Sequence, residues 1–240
     1  FCTDRIAPLF QEIEDKQEGL SVQLLREMGE LGLLSNDIPE SLGGMELDKT
    51  PAVIIAEAMH TCQSASFMTT FSVQTGIGLL PILWFGNEEQ KKKYLPPLAS
   101  GEIIGAFGLT EPGAGSDAGA TKTTAVLDGN EWVINGGKIF TTNAGVAGLL
   151  IATAVVMNNN EKNGIGAFII NTDNPGLTIG PPEKKMGWKA SDTRQLFFED
   201  LRIPKDNLLG NPTDGFKTFL QALTGGRISI AALSAGTAEG

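Results

Sequence analysis

The hydrophobic period of this chain changes twice, and that order limits the folds open to it. Up to about Ser100 apolar residues recur at helical spacing, as in Val22, Leu24, Leu25, Met28 and Leu31. That spacing lays an apolar stripe along one face of a helix. Ser21 is the expected N-cap of this segment, and Thr50-Pro51 opens another through Ile54, Ile55 and Met59. Pro39 with Gly43-Gly44 marks a loop, and Asn87-Glu88-Glu89-Gln90 has the spacing of a capping box before Lys91 to Tyr94, whose lysines form a solvated face. After Gly101 the usage shifts to Thr, Val, Ile, Phe and Gly. EIIGAFGL, TKTTAVL, EWVINGGKIF, LLIATAVV, GIGAFII and QLFFED read as strands, separated by Asp128-Gly129-Asn130, by Asn158-Asn159-Asn160 and by loops rich in Pro and Gly. From about Thr213 helical spacing returns in Phe216, Phe219, Leu220, Leu223 and Ile230 and runs to Gly240 with no stop signal. The expected class is α+β and multidomain: an all-α domain over 1–103, a mostly antiparallel β-sandwich or barrel over 104–210, and a helix over 211–240 that is expected to continue further.

Composition narrows the partners. The 240 residues carry 28 acidic and 18 basic side chains, a net charge of −10. That sign is wrong for a surface that attracts nucleic acid or anionic lipid in bulk, so any bound phosphate must be held locally. Cys2 and Cys62 match no metal-ligand or redox spacing, which favours a reducing compartment. No apolar run reaches the about 18 residues of a membrane helix, so no membrane span is expected. The start, FCTDRIAPLF, has neither the order of a signal peptide nor a methionine, and the natural beginning is expected to lie upstream.

One loop stands apart. LTEPGAGSDAGATKT, from Leu109 to Thr123, contains Gly113-x-Gly115-x-x-Ala118. A dinucleotide fingerprint needs a strand before the glycines and a helix opening on them, because the helix N-terminus holds the pyrophosphate. Here Gly119, Thr121, Thr123 and Thr124 are poor helix material and TKTTAV alternates like a strand. A P-loop would need a Gly-Lys-Ser/Thr ending, which is missing. What remains is a strand-to-strand loop in which glycines let backbone N–H groups approach an anion and Thr110 and Ser116 add hydroxyls, or a plain flexible turn.

Taken with FGNEEQKKKYLPPLASGE, AFGLTEPGAGSDAGATKT, WVINGGKIFTTNAG, GAFIINTDNPGLTIG, KKMGWKASDTRQLFFEDLRIPKDNLLG and LTGGRISIAALSAGTAEG, in that order, the chain resembles the acyl-CoA dehydrogenase family over nearly its whole length. The resemblance implies a helical N-terminal domain, a middle β-domain and a C-terminal helical bundle of which 211–240 is the first helix. It implies FAD, held between the last two domains and across the interface of a homotetramer or homodimer. It also implies an acyl-CoA substrate and an electron-transfer flavoprotein as partner.

By position, the resemblance assigns flavin contact to Phe107, Gly108, Leu109, Thr110, Glu111, Pro112, Gly113, Ala114, Gly115 and Ser116. Thr110 would lie at the polar edge of the isoalloxazine, and Ser116 at the pyrophosphate and against the acyl-CoA, or it is a turn serine. A second flavin segment is Phe140, Thr141 and Thr142. Family members commonly carry Trp where this chain has Phe140, which keeps a stacking face and loses a donor. The Thr142 hydroxyl would bond near flavin N5. Thr224, Gly225, Gly226 and Arg227 match the segment flanking the acyl-CoA, with a structural ion pair as the competing role of Arg227. Asp192-Thr193-Arg194 is a family signature that would fix a β-domain loop.

The implied chemistry is α,β-dehydrogenation of an acyl-CoA thioester to the trans-2-enoyl-CoA. It needs a base for the α-proton, a hydride acceptor facing the β-carbon, and stabilisation of enolate character on the thioester oxygen. In a subset of the family the base is a glutamate immediately before the arginine matched by Arg227; here that position is Gly226. No residue of 1–240 is therefore assigned as the base: a glutamate beyond residue 240 is expected, and 1–240 alone should be inactive. His60 matches no catalytic position and reads as an ordinary helix residue. An acyl-CoA oxidase and a non-catalytic acyl-CoA or flavin-binding module are the alternatives. A bacterial cytoplasm is the favoured location, with a mitochondrial matrix as the alternative.

Overall fold

The computed structural model describes residues 1–159 and 161–239; Asn160 of the expected Asn158–Asn160 turn and the terminal Gly240 lie outside the described residues. Six α-helices come first: α1 (Phe10–Glu14), α2 (Leu20–Glu30), α3 (Lys49–Ala58), α4 (Ala65–Thr75), α5 (Leu80–Phe85) and α6 (Glu88–Ala99). Helix α2 starts one residue before Ser21, because Gly19 in the left-handed conformation (φ 74°) turns the chain and leaves Ser21 inside the first turn. Asn87 and Gln90 form the expected capping box of α6. The Gln90 amide also donates to the Asp206 and Leu208 carbonyls, so one cap fixes the helical region to the sheet.

Ala65–Phe85 is apolar and long enough to cross a membrane by length and composition, contrary to the sequence expectation. Residues 76–79 form a turn that splits it into α4 and α5, and 72% of the window is buried inside the protein. It is a core element whose apolarity is satisfied by neighbours.

Eight strands follow: β1 (Gly105–Gly108), β2 (Thr124–Asp128), β3 (Glu131–Thr142), β4 (Leu149–Asn158), β5 (Glu161–Asn171), β6 (Leu177–Pro182), β7 (Thr193–Pro204) and β8 (Leu208–Leu209). They pair in the order β6-β7-β3-β2-β4-β5-β8, with β1 also on β4. Among the described residues five pairings are antiparallel, and β1 and β2 run parallel to β4, each along a different half of it. β6 was hidden in the sequence because Gly180, Pro181 and Pro182 read as loop, yet proline is tolerated in a strand that pairs on one side only, as β6 does with β7. After the glycine loop only a single 3₁₀ turn, Ala118–Ala120, precedes β2, so no helix opens on those glycines.

The last element, α7 (Gly215–Glu239), lies across both regions. Phe219 stacks on Phe107 of β1 with ring centroids 4.0 Å apart, inside a cluster that also holds Leu79, Leu95, Ile151 and Ile169. Farther along, Gly236 lies so close to α3 that a Cβ there would sit 2.1 Å from the Glu57 carbonyl oxygen, so only glycine permits this crossing. The sheet has its own interior around Trp132, Ile134, Phe168 and Leu201, and the helices have theirs around Leu24, Met28, Phe67 and Phe71.

Candidate functional site

The glycine loop and the end of β3 meet. The Ile139 amide donates to the Thr110 carbonyl at 2.8 Å, which ties the loop to β3 one residue before Phe140. A register shift in β3 between Lys138 and Thr141 sets Phe140 outside the ladder. It takes a positive φ of 57° and exposes 60% of its surface, an uncommon state for a bulky residue. Thr142 pairs with Thr193 of β7, and Asn143 behind it donates through its side-chain amide to the Thr70 and Gly105 carbonyls at 3.3 Å each. The strand end is thereby fixed to α4 and β1.

The loop itself is held from below. Lys138 is fully buried, and its ammonium lies 2.7 Å from the Glu111 carboxylate, 3.0 Å from the Thr153 hydroxyl and 3.2 Å from both the Leu109 carbonyl and the Thr121 hydroxyl. Glu111, 6% exposed, also accepts from the Thr121 hydroxyl and from the Lys122 and Thr123 amides. Burial pushes the Glu111 carboxyl up, but these donors and the ammonium outweigh it and hold the group at about 2. Burial pulls the Lys138 ammonium down against the opposing pull of Glu111. The Glu111 side chain therefore belongs to the loop's foundation, and what it offers outward is backbone. Phe107 likewise turns its ring inward onto Phe219, and a Cβ on Gly108 would lie 3.1 Å from the Lys138 side chain. Leu109 and Thr110 are half-buried, Ala114 is buried, and Pro112, Gly113, Gly115 and Ser116 form the exposed outer turn.

Neither Gly113 nor Gly115 has a positive φ, and a Cβ on either would meet nothing within 4 Å. The fold does not require glycine there. The Thr141 hydroxyl is buried and has no partner. Open glycines and a displayed aromatic face suit a large planar ligand carrying an anionic arm. Among the described residues no cluster of metal-ligating side chains occurs.

A groove of about 630 Å³ opens between α4 and α7. Thr69, Ser72, Val73 and Gly76 form one wall, and Leu223, Gly226, Arg227 and Ile230 the other. The structure thus brings Gly226 and Arg227 to the groove. Thr224 turns its hydroxyl back to the Leu220 carbonyl, and Gly225 lies against the Trp84 ring. Arg227 makes no ion pair among the described residues. Asp192 accepts from the Arg194 guanidinium at 2.8 Å and from the Gly145 amide at 2.6 Å, a brace between two loops of the sheet. The His60 ring meets the Glu57 carbonyl of its own turn.

A helical layer, a mixed sheet and a crossing helix together present a glycine loop, the displayed end of β3 and an apolar groove between helices. Residues 1–102 match the acyl-CoA dehydrogenase N-terminal domain and residues 106–201 the acyl-CoA dehydrogenase middle domain. The chain is 46% identical over 241 residues to the probable acyl-CoA dehydrogenase YngJ of Bacillus subtilis, covering 100% of this chain and 63% of that protein. It is 42% identical over 240 residues to the mitochondrial short-chain specific acyl-CoA dehydrogenase of Homo sapiens, covering 100% of this chain and 58% of that protein. The crystal structure of an acyl-CoA dehydrogenase complexed with FAD from Bacillus anthracis superposes with a TM-score of 0.92 at 43% identity, covering 97% of this chain and 39% of that one. The chain belongs to the acyl-CoA dehydrogenase family and spans about three-fifths of the length of the first two relatives.

Proposed function

We propose that this chain forms the FAD-binding and acyl-binding part of an acyl-CoA dehydrogenase that desaturates an acyl-CoA thioester between Cα and Cβ. The meeting of the Thr110–Ser116 loop with Phe140–Thr142, beside an apolar groove, carries the reading. The open backbone at Gly113 and Gly115 and the Ser116 hydroxyl receive the pyrophosphate, and the exposed Phe140 ring stacks on the flavin. FAD, when bound, supplies the hydride acceptor.

The chain's own residues orient the reactants. Val73, Ile77, Leu223 and Ile230 hold an acyl chain away from water, and the Arg227 cation at the groove attracts the anionic thioester carrier. No carboxylate lines the groove among the described residues, so we assign the α-proton acceptor to a glutamate outside residues 1–240. Electrons leave to an electron-transfer flavoprotein, and the working assembly is a homo-oligomer in a bacterial cytoplasm.

Thr142→Ala in the full-length protein tests the reading. One hydrogen bond that strengthens as charge develops is worth on the order of 1–3 kcal/mol, so bleaching of the flavin by substrate should slow by up to about a hundredfold. Binding of the acyl-CoA should change far less. Stopped-flow absorbance measures both, and an unchanged bleaching rate would remove Thr142 from the site.

A further inference from the structure

Two exposed aromatic residues take left-handed backbone conformations: Phe140 and Trp188, whose φ is 48° and whose surface is 58% exposed. A bulky side chain is disfavoured there, and such strain persists only where the surroundings enforce it. The loop between β6 and β7 is enforced from both sides. Lys185 donates to the Ser191 carbonyl at 2.6 Å and to the Thr193 hydroxyl at 2.8 Å, and the Ser191 amide closes a turn on the Trp188 carbonyl. The Ala190 amide reaches Ser66 at the start of α4, and the Ser66 hydroxyl donates to Glu14. The clamped backbone sets the indole against the groove, where it lies with Thr69, Ser72 and Val73 on one side and Leu223 and Arg227 on the other. Among the lining residues Val73 and Gly76 are buried whereas Trp188 and Arg227 are exposed, which places Trp188 on the solvent side of the groove, its mouth. The ring gains little burial from the fold and occupies a backbone state that glycine would fill more easily.

We propose that Trp188 is a binding residue for the acyl thioester: its indole forms the lip of the groove and covers the thioester end of the chain, where every substrate is alike. This rests on the acyl-CoA reading above. A contact at the mouth acts equally on chains of different length, whereas a contact in the buried part would discriminate among them.

The test uses full-length holoprotein and trans-2-butenoyl-CoA, trans-2-hexenoyl-CoA and trans-2-octenoyl-CoA, which are already desaturated, with binding read from the perturbed flavin spectrum. Trp188→Ala is expected to raise Kd by about tenfold for all three, and Trp188→Phe to restore most of it. The melting temperature and FAD content of Trp188→Ala should equal or exceed those of the parent, because a residue retained for folding would lose stability on truncation. Unchanged Kd values, or a fall in melting temperature that accounts for the weaker binding, would overturn the role of Trp188 and leave the acyl-CoA reading standing. Failure of the parent protein to bind any of the three would overturn both.

Discussion

Replacing Lys138 by methionine in the full-length protein is expected to lower folding stability by about 3–5 kcal/mol, because the variant leaves the Glu111 carboxylate buried without its cation. Removing both charges at once, as Lys138→Met with Glu111→Leu, should recover much of that loss, since an apolar pair needs no desolvation of charge. Urea unfolding followed by fluorescence measures the difference. The dependence on pH has a definite sign. The folded Glu111 carboxyl sits at about 2, below its ordinary 4.5, so the pair's contribution is present above 4.5 and lost as pH falls towards 2. The gap between parent and Lys138→Met should therefore narrow in acid. A single variant that loses less than about 1 kcal/mol at neutral pH would show that the loop stands without this foundation.

Phe219→Ala is expected to cost a further 3–5 kcal/mol, about the usual effect of deleting a fully buried ring. Phe219 is 1% exposed and stacks on Phe107, so it is the contact that seats α7 on β1. Leu223, Gly226 and Arg227 ride on the same helix, so a loosened α7 should also weaken binding of an acyl-CoA. Phe219→Leu, which keeps most of the volume, should lose about a third as much stability. Equal losses from both variants would mean that the stacking geometry, not the buried volume, seats the helix.

The three-part order was legible because hydrophobic period is a local signal: it changes near Gly101 and again near Thr213, and the structure changes with it. The Asn87–Gln90 cap was legible for the same reason, since its geometry closes within four residues. Its second attachment, to Asp206 and Leu208, was not, because nothing near residue 90 encodes a partner more than a hundred positions away. Lys138 was hidden for a similar cause. A lysine between Gly137 and Ile139 reads as a surface residue of a strand, and only the arrival of Glu111 from another loop makes its burial affordable. Gln74 is a further example: its buried amide joins Leu98, Ile103 and Gly105, none of which lies on its own helix. Trp188 carried a usable signal, a bulky residue directly after Gly187 in a turn, but its place at the groove depends on Ser66 and α7.

Filling the open space above the glycine loop tests the central claim, that this loop receives FAD, most directly. A Cβ on Gly113 or Gly115 meets no neighbour, so Gly113→Val with Gly115→Val should fold as the parent does. The measurement is the equilibrium dissociation constant of FAD from the full-length double variant, read by flavin fluorescence alongside the melting temperature of the flavin-free protein. An unchanged melting temperature with FAD bound at least about tenfold more weakly is the predicted result, as a steric block on one side of the ligand requires. Parent-like FAD affinity in that variant would contradict the account and place the cofactor elsewhere on the protein.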